Sequence, residues 1–385
     1  MACCSWIEQP SRGREDNMTN GYELYGAEVS YFTGKVRAYL RYKKIPFVET
    51  IANREVYKTV IMPRVGWPVI PVMVTPEGDT LQDSTDIIDA LEVRFPDPSI
   101  YPATPRQRLA ALLLEVYGDE WLKIPAMHYR WTKNREFAIA EFGRLSRPDL
   151  PVEAQHKIGE EMAKPFAGAL PALGCTETSG PAIERSYEGL LAELDAHFAH
   201  HDYLFGSRPS IGDFGLIGPL YAHQYRDPAS GELMKRVAPH VAKWVERMMK
   251  PPHPKEGEFL SGDDVPDTLM PVLQRMMREY LPVLLATAEQ FKAFLAAQPD
   301  VASGEKELPR AIGMHDFTLE GVTEKRAVFL FDLWMFQRPL DYLRSLEGAD
   351  SEAVGKLLNM AGGEAMMAFP DYPRLARRNF KHALA

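Results

Sequence analysis

Pro71 constrains this chain more than any other residue. It sits in Trp67-Pro-Val-Ile-Pro-Val-Met-Val74, followed by a Pro-Glu-Gly-Asp turn and then Thr80-Leu-Gln-Asp-Ser-Thr-Asp-Ile-Ile-Asp89. Proline gives no N–H to a ladder, so a strand beginning there must lie at an edge or follow a constrained turn. A cis bond before it would bend the chain and turn the backbone N–H and C=O of Ile70 toward a ligand rather than a strand. A helix starting near Asp83-Ser84 would then offer its first amides to a carboxylate.

The residues around this point read as a small α/β unit. Tyr22-Glu-Leu-Tyr-Gly26 alternates like a strand, and Ala27 to Thr33 forms a loop. Gly34 to Lys44 fits a helix with Val36, Tyr39 and Leu40 inward, and Thr33 is placed to cap it. Ile45 to Thr50 resumes as a strand, giving a right-handed βαβ start. Ala52 to Gly66 lacks clean periodicity and is expected to form a loose helix and loop. Pro71–Val74 and Asp79–Gln82 pair as a hairpin, and Ser84–Phe95 makes a helix with Ile87, Ile88, Leu91 and Phe95 on one face. The unit is too short for a dinucleotide fold, and no Gly-x-Gly-x-x-Gly follows its first strand.

This order, with Ser30 in Ser-Tyr-Phe-Thr33, Lys35-Val-Arg37, Ile70-Pro71 and Gln82-Asp83-Ser84, resembles the thioredoxin-like domain of the cytosolic glutathione transferase superfamily, in its serine-type form. The resemblance covers residues 22 to 95. It implies glutathione as co-substrate. Ile70, ahead of Pro71, would pair with the cysteinyl part as an added strand would, and Ser84 would hold the γ-glutamyl carboxylate. Asp83, or its counterpart across a dimer, would take the ammonium, with Gln82 assisting. Helix capping by Asp83 and Ser84 is compatible with that role. Glutathione reacts as its thiolate, which a hydroxyl donating to sulfur stabilises. Ser30 stands where serine-type members keep that donor, and Tyr31, Thr33 and Tyr25 are its rivals. No cysteine lies between Ala27 and Gly34, which disfavours thiol–disulfide exchange.

Beyond a proline-rich linker at 96–105 the pattern turns helical. Arg106–Trp131 reads as one long helix bent near Pro125, 134–174 as a less regular insertion, and Ile183–Phe198 as an amphipathic helix. Ser210, three residues before Asp213, resembles a capping box, and Asp213 is read as an anchor of a buried helix rather than a catalytic acid. Val237–Met249 supplies a further helix. In the family the second substrate lies between the two domains. Tyr117, Trp121, His128, Tyr129 and Tyr221 are the candidates here for an apolar wall, with Trp131 beside them.

An ordinary member would end near residue 250, leaving about 130 residues over. A helix or two meeting near Pro282 are expected at 267–295, then a hairpin at 311–330 and a helix at 331–346. His315 and Arg338 are the polar residues of interest there. Phe329, Phe331, Trp334, Met335 and Phe336 are too dense an apolar set to stay exposed. Arg377-Arg-Asn-Phe-Lys381 reads as a solvated basic end.

A net charge of −9 disfavours a nucleic-acid partner. Three cysteines make no disulfide framework, and Cys3 and Cys4 lack further ligands for a metal. No stretch is long and apolar enough for a membrane span, and Met1–Asn20, without a signal-peptide core, reads as a disordered cytoplasmic tail. The expected class is therefore α+β: a thioredoxin-like domain at 21–97, an all-helical transferase-type domain at 104–255, and an extension at 256–385 packed on it. The expected activity is addition of the glutathione thiolate to a small apolar electrophile by a homodimer. Glutathione-dependent isomerisation, dehalogenation or ether cleavage, and a non-catalytic binding or scaffold role, are the alternatives. A segment of the extension filling the pocket would favour the last.

Overall fold

The computed structural model describes residues 21–251, 257–304 and 307–385, so the expected disordered tail, with Cys3 and Cys4, lies outside the described residues. Strand β1 (Tyr22–Gly26) leads through helix α1 (Tyr31–Lys43) to β2 (Phe47–Ile51), which runs parallel to it, with Tyr22 opposite Phe47 and Gly26 opposite Ile51. After helical turns at 54–65 come β3 (Val72–Val74) and β4 (Thr80–Gln82), both antiparallel, in the sheet order β2-β1-β3-β4. Helix α2 (Ser84–Arg94) closes the unit. Leu24, Val36, Leu40, Met73, Ile87, Ile88 and Leu91 are all fully buried between the sheet and its helices. This is the thioredoxin-like arrangement, and the Ile70–Pro71 bond is cis.

Helix α1 begins three residues earlier than its pattern suggests. Ser30 is extended (φ −83°, ψ 125°), and its Oγ accepts from the Thr33 amide at 3.3 Å. Ser30 is therefore the cap, and Thr33 lies inside the first turn. The hydroxyl at 30 satisfies an amide that one at 33 would leave bare, and an earlier start buries Tyr31.

The helical part starts with α3 (Pro105–Val116), a wider turn at Tyr117–Trp121, and α4 (Lys123–His128). The stretch read as an irregular insertion is instead two packed helices, α5 (Arg135–Ser146) and α6 (Val152–Ala167). A Cβ on Gly143 would fall 1.9 Å from the Gln155 carbonyl, and one on Gly159 equally close to that of Ile139. The two backbones touch through glycines, and Ala138, Ile139, Phe142, Leu145 and Ala163 bury a small apolar cluster beside the contact. Helices α7 (Gly180–Phe198), α8 (Ile211–Pro219), α9 (Pro228–Val237) and α10 (Pro239–Met249) complete this part.

Asp213 anchors α8 as its spacing implies. Its carboxylate accepts from the Ser210 amide (2.8 Å) and hydroxyl (2.9 Å), and from the Leu204 amide and Trp244 Nε1 (both 3.1 Å).

Further helices and strands follow residue 250. Helices α11 (Met270–Glu279) and α12 (Leu281–Ala297) break at Tyr280, before Pro282. A hairpin of β5 (Ala311–Leu319) and β6 (Val322–Phe329) leads into α13 (Leu330–Ser345), then α14 (Gly348–Ala361). The chain ends in a hairpin of β7 (Leu375–Arg378) and β8 (Lys381–Leu384). Leu330, Leu333, Met335 and Phe336 join the same buried cluster as Leu112, Trp121 and Tyr280, so the extension shares the core of the helices before it. Among the described residues no helix is long and apolar enough to cross a membrane.

Candidate functional site

The loop before α1 is braced from outside its own unit. Arg130, buried and paired with Asp227 at 2.7 Å, donates to the Val29 carbonyl at 2.7 Å. The Tyr221 hydroxyl donates to Glu28, and Arg37 clamps Glu49 through Nε (2.6 Å) and Nη2 (2.5 Å) while lying 3.5 Å from Glu28. Such bracing fixes Ser30 at the positive end of α1. Ser30 Oγ accepts from the Thr33 amide and from Thr33 Oγ1 at 2.9 Å. Neither bond uses the serine's own proton, so the hydroxyl keeps a donor for a ligand.

The rival hydroxyls are differently placed. Tyr31 is buried and donates to the Gly118 carbonyl, with its ring edge-on to His223 at 5.5 Å. Thr33 is fully buried and points at Ser30. Tyr25 donates to Glu23, and partial burial pushes its phenol up to about 12.

The second half of the site is the start of α2. Asp83 holds a left-handed backbone (φ 83°) that a non-glycine residue adopts at a cost of roughly 1–3 kcal/mol. In return Oδ1 accepts the Thr85 amide at 2.8 Å and caps the helix. Gln82, Asp83 and Ser84 are buried. Strand β3 begins at Val72, opposite Tyr25, so Ile70 and Pro71 lie outside the ladder.

Arg377, from the turn end of β7, reaches this point. Its Nη2 donates to Gln82 Oε1 and to the Phe380 carbonyl (2.9 Å), and its Nη1 lies 3.4 Å from Asp83 Oδ2 and 3.6 Å from Asp86 Oδ2. The guanidinium stands over the Trp334 ring at 5.4 Å. Burial and the Asp83 charge push the Asp86 carboxyl up to about 7, against the pull of Arg377. The expectation of a solvated basic end is thus corrected for Arg377, while Arg378 and Asn379 are exposed. Arg377 is only 10% exposed, because 295 residues away in sequence an acidic helix start gives it partners.

Below Ser84 lies a buried charge cluster of which Lys35 and Arg338 are the members that stand out in the sequence. Lys35 Nζ contacts Thr85 Oγ1 (2.9 Å), Glu115 (2.8 Å) and Asp119 (2.5 Å), joining α1, α2 and α3. Arg338 of α13 adds Glu115 at 2.8 Å, Asp89 at 3.0 Å and the Tyr101 hydroxyl at 2.7 Å. With the cations satisfying Glu115, whose carboxyl is held below its usual range, burial pushes Asp119 up to about 7.

Tyr117, Trp121, His128 and Tyr129 are buried in helical packing. Tyr117 and Trp121 face Glu279, with Trp121 stacked on Tyr280 at 5.0 Å. His128 pairs with Glu184 at 2.9 Å, and Tyr129 packs on Tyr187. Trp131 stacks on Phe166. Tyr221 is the half-exposed member of the set, against the Ser30 loop. His315 is buried, which pushes its imidazole down to about 4, and Cys175 is buried with its thiol pushed up to about 12. No group of ligands suited to a metal occurs among the described residues.

Residues 24–99 match the family description "Glutathione S-transferase, N-terminal domain", and residues 177–247 match "Glutathione S-transferase, C-terminal domain". No curated protein matches the chain. Among solved structures, one similar protein is a glutathione S-transferase of Methylobacterium radiotolerans, in complex with glutathione sulfonate. It is 22% identical over 64% of this chain and 94% of its own, with a TM-score of 0.39. A beta-etherase of Sphingobium sp. strain SYK-6 is 18% identical over 60% of this chain and 96% of its own, at 0.45. A glutathione S-transferase of Rhodospirillum rubrum is 17% identical over 64% and 96%, at 0.39. The two matched regions and the order of elements agree: the chain has a glutathione-transferase-like fold, carried on by further helices and strands past residue 250.

Proposed function

We propose that this chain binds glutathione and adds its thiolate to a small apolar electrophile. The observation that carries the reading is the cation seat made by Gln82, Asp83 and Asp86 beside the first amides of α2, filled here by a guanidinium. A seat for a cation next to a helix N-terminus suits a group with ammonium and carboxylate on one carbon, as the γ-glutamyl end has. Ser84 would take the carboxylate, Asp83 the ammonium with Gln82 assisting, and Ile70 the cysteinyl backbone by strand addition. The sulfur then lies toward Ser30, whose free proton and helix end favour the thiolate. Catalysis comes from positioning and charge stabilisation. Isomerisation, dehalogenation and ether cleavage would use the same thiolate. Tyr221 is the candidate wall residue for the electrophile, and a homodimer, the family's habit, belongs to the same reading.

The test is calorimetry with glutathione, then conjugation of a chloronitrobenzene. Asp83→Asn should abolish binding. In Ser30→Ala the bound thiol should lose a charged hydrogen bond of about 1.5–3 kcal/mol, raising its pKa by roughly one to two units at 1.36 kcal/mol per unit. Glutathione binding without turnover, with a thiol indifferent to Ser30, would instead establish a non-catalytic binding protein. A segment of the extension in the proposed binding site, as Arg377 is, favours a scaffold role over catalysis.

A further inference from the structure

Arg377 and a γ-glutamyl ammonium cannot share one seat. The rest of the terminal hairpin covers the adjoining ground. Phe380 packs on the cluster of Ile61, Val65 and Val72, which Trp67, Val69 and Ile70 also join. The hairpin therefore reaches both the cation seat and the neighbourhood of the cis-proline loop expected to hold the cysteinyl backbone.

Its turn is built to present that ring. Asn379 (φ 49°) and Phe380 (φ 63°) both hold left-handed backbone between β7 and β8, as a two-residue hairpin turn requires. Glycine is the natural second residue there, and an aromatic side chain at positive φ is strained. The strand ladder does not require a ring at 380, so its contact with the 61–72 cluster offsets the strain. Arg377 closes the turn by donating to the Phe380 carbonyl while it reaches Gln82.

The root of the hairpin is tethered to the extension, and only its tip touches the thioredoxin-like unit. Gln337 exchanges bonds with Leu375 at 2.7 and 3.0 Å, and the Leu308 amide donates to the His382 carbonyl at 3.0 Å. Arg377 Nη1 makes ion-pair contacts at 3.4 and 3.6 Å but no hydrogen bond. The hairpin is thus held by main-chain and Gln337 bonds at its root, and at its tip by one hydrogen bond to Gln82 with charge and ring contacts beside it.

We infer that the terminal hairpin is an internal ligand, with Arg377 and Phe380 occupying the glutathione site and yielding it only when the tip lifts. This rests on the glutathione reading above. If the site is open in about one molecule in ten, apparent affinity is cut about tenfold, and removing the plug restores it.

The experiment uses the full chain as wild type, Arg377→Ala and Phe380→Gly, titrated with glutathione by calorimetry. Hydrogen exchange of residues 375–384 is followed with and without glutathione. Phe380→Gly leaves an Asn-Gly turn, which favours the hairpin while deleting its ring, so a folding defect is separated from loss of the plug. The expected result is binding about tenfold tighter or more in both variants, with glutathione speeding exchange across the wild-type hairpin. Equal affinity in all three proteins, with exchange at 375–384 unmoved at saturation, would overturn the plug and leave glutathione binding standing. No heat with any protein would overturn the glutathione reading and the plug together.

Discussion

Arg338→Met removes the one cation that, among the described residues, the extension contributes to the buried cluster below α2. Glu115 is fully buried and divides its oxygens: Oε1 takes Lys35 and Thr85, and Oε2 takes Arg338 at 2.8 Å. Methionine fills much of the space but leaves Oε2 charged and unpaired. Breaking a buried pair from one side costs about 3–5 kcal/mol, mostly because the remaining charge stays desolvated. Arg338→Met/Glu115→Gln removes both charges, and Lys35 keeps Asp119 at 2.5 Å. The double variant should therefore lose less than the two single losses summed, by a coupling of about 0.5–3 kcal/mol.

Urea unfolding followed by tryptophan fluorescence measures each loss. A pH series adds a second reading. The folded Glu115 carboxyl is depressed, so its contribution is present above the unfolded value of about 4.3 and fades as pH falls through the lower folded one. Without Arg338, the largest of the attractions acting on it, that carboxyl rises and the acid limb of the stability curve moves to higher pH. A single variant within about 0.5 kcal/mol of wild type, with an unmoved acid limb, would refute the reasoning.

Two further outcomes follow from the same buried charges. Asp119, pushed up to about 7, contributes stability that is full below its unfolded value and lost as pH rises through 7. Asp119→Asn holds the neutral state, so its melting temperature should fall less than wild type's over that rise, and parallel profiles would count against the assignment. Asp213→Ala strips four donors of their acceptor in the core, and thermal melting should show a loss of about 3 kcal/mol or more.

Local signals in the sequence carried much of the architecture. The Ser210–Asp213 spacing, Pro282 and the alternation after Ala311 each act within a few residues, and each falls at the cap, break or strand it suggests. The candidate binding residues Gln82, Asp83 and Ser84 stand together at one helix start for the same reason. The helices at 135–146 and 152–167 were less legible because glycine-to-backbone contact supplements a short apolar stripe of Ala138, Ile139, Phe142 and Leu145. Arg338 stands out in the sequence of the extension, but its partners do not, and Arg377 does not stand out at all. Their partners lie 223 to 295 residues away, and a basic residue near a terminus looks the same whether it meets water or a carboxylate.

A crystal structure of the protein grown with saturating glutathione bears most directly on the account. It should place the γ-glutamyl end on Asp83 and Ser84, the cysteinyl backbone along Ile70 and the sulfur within hydrogen-bonding reach of Ser30, with Arg377 withdrawn from Gln82. Glutathione bound elsewhere, or an empty site with Arg377 still seated on Asp83, would contradict it.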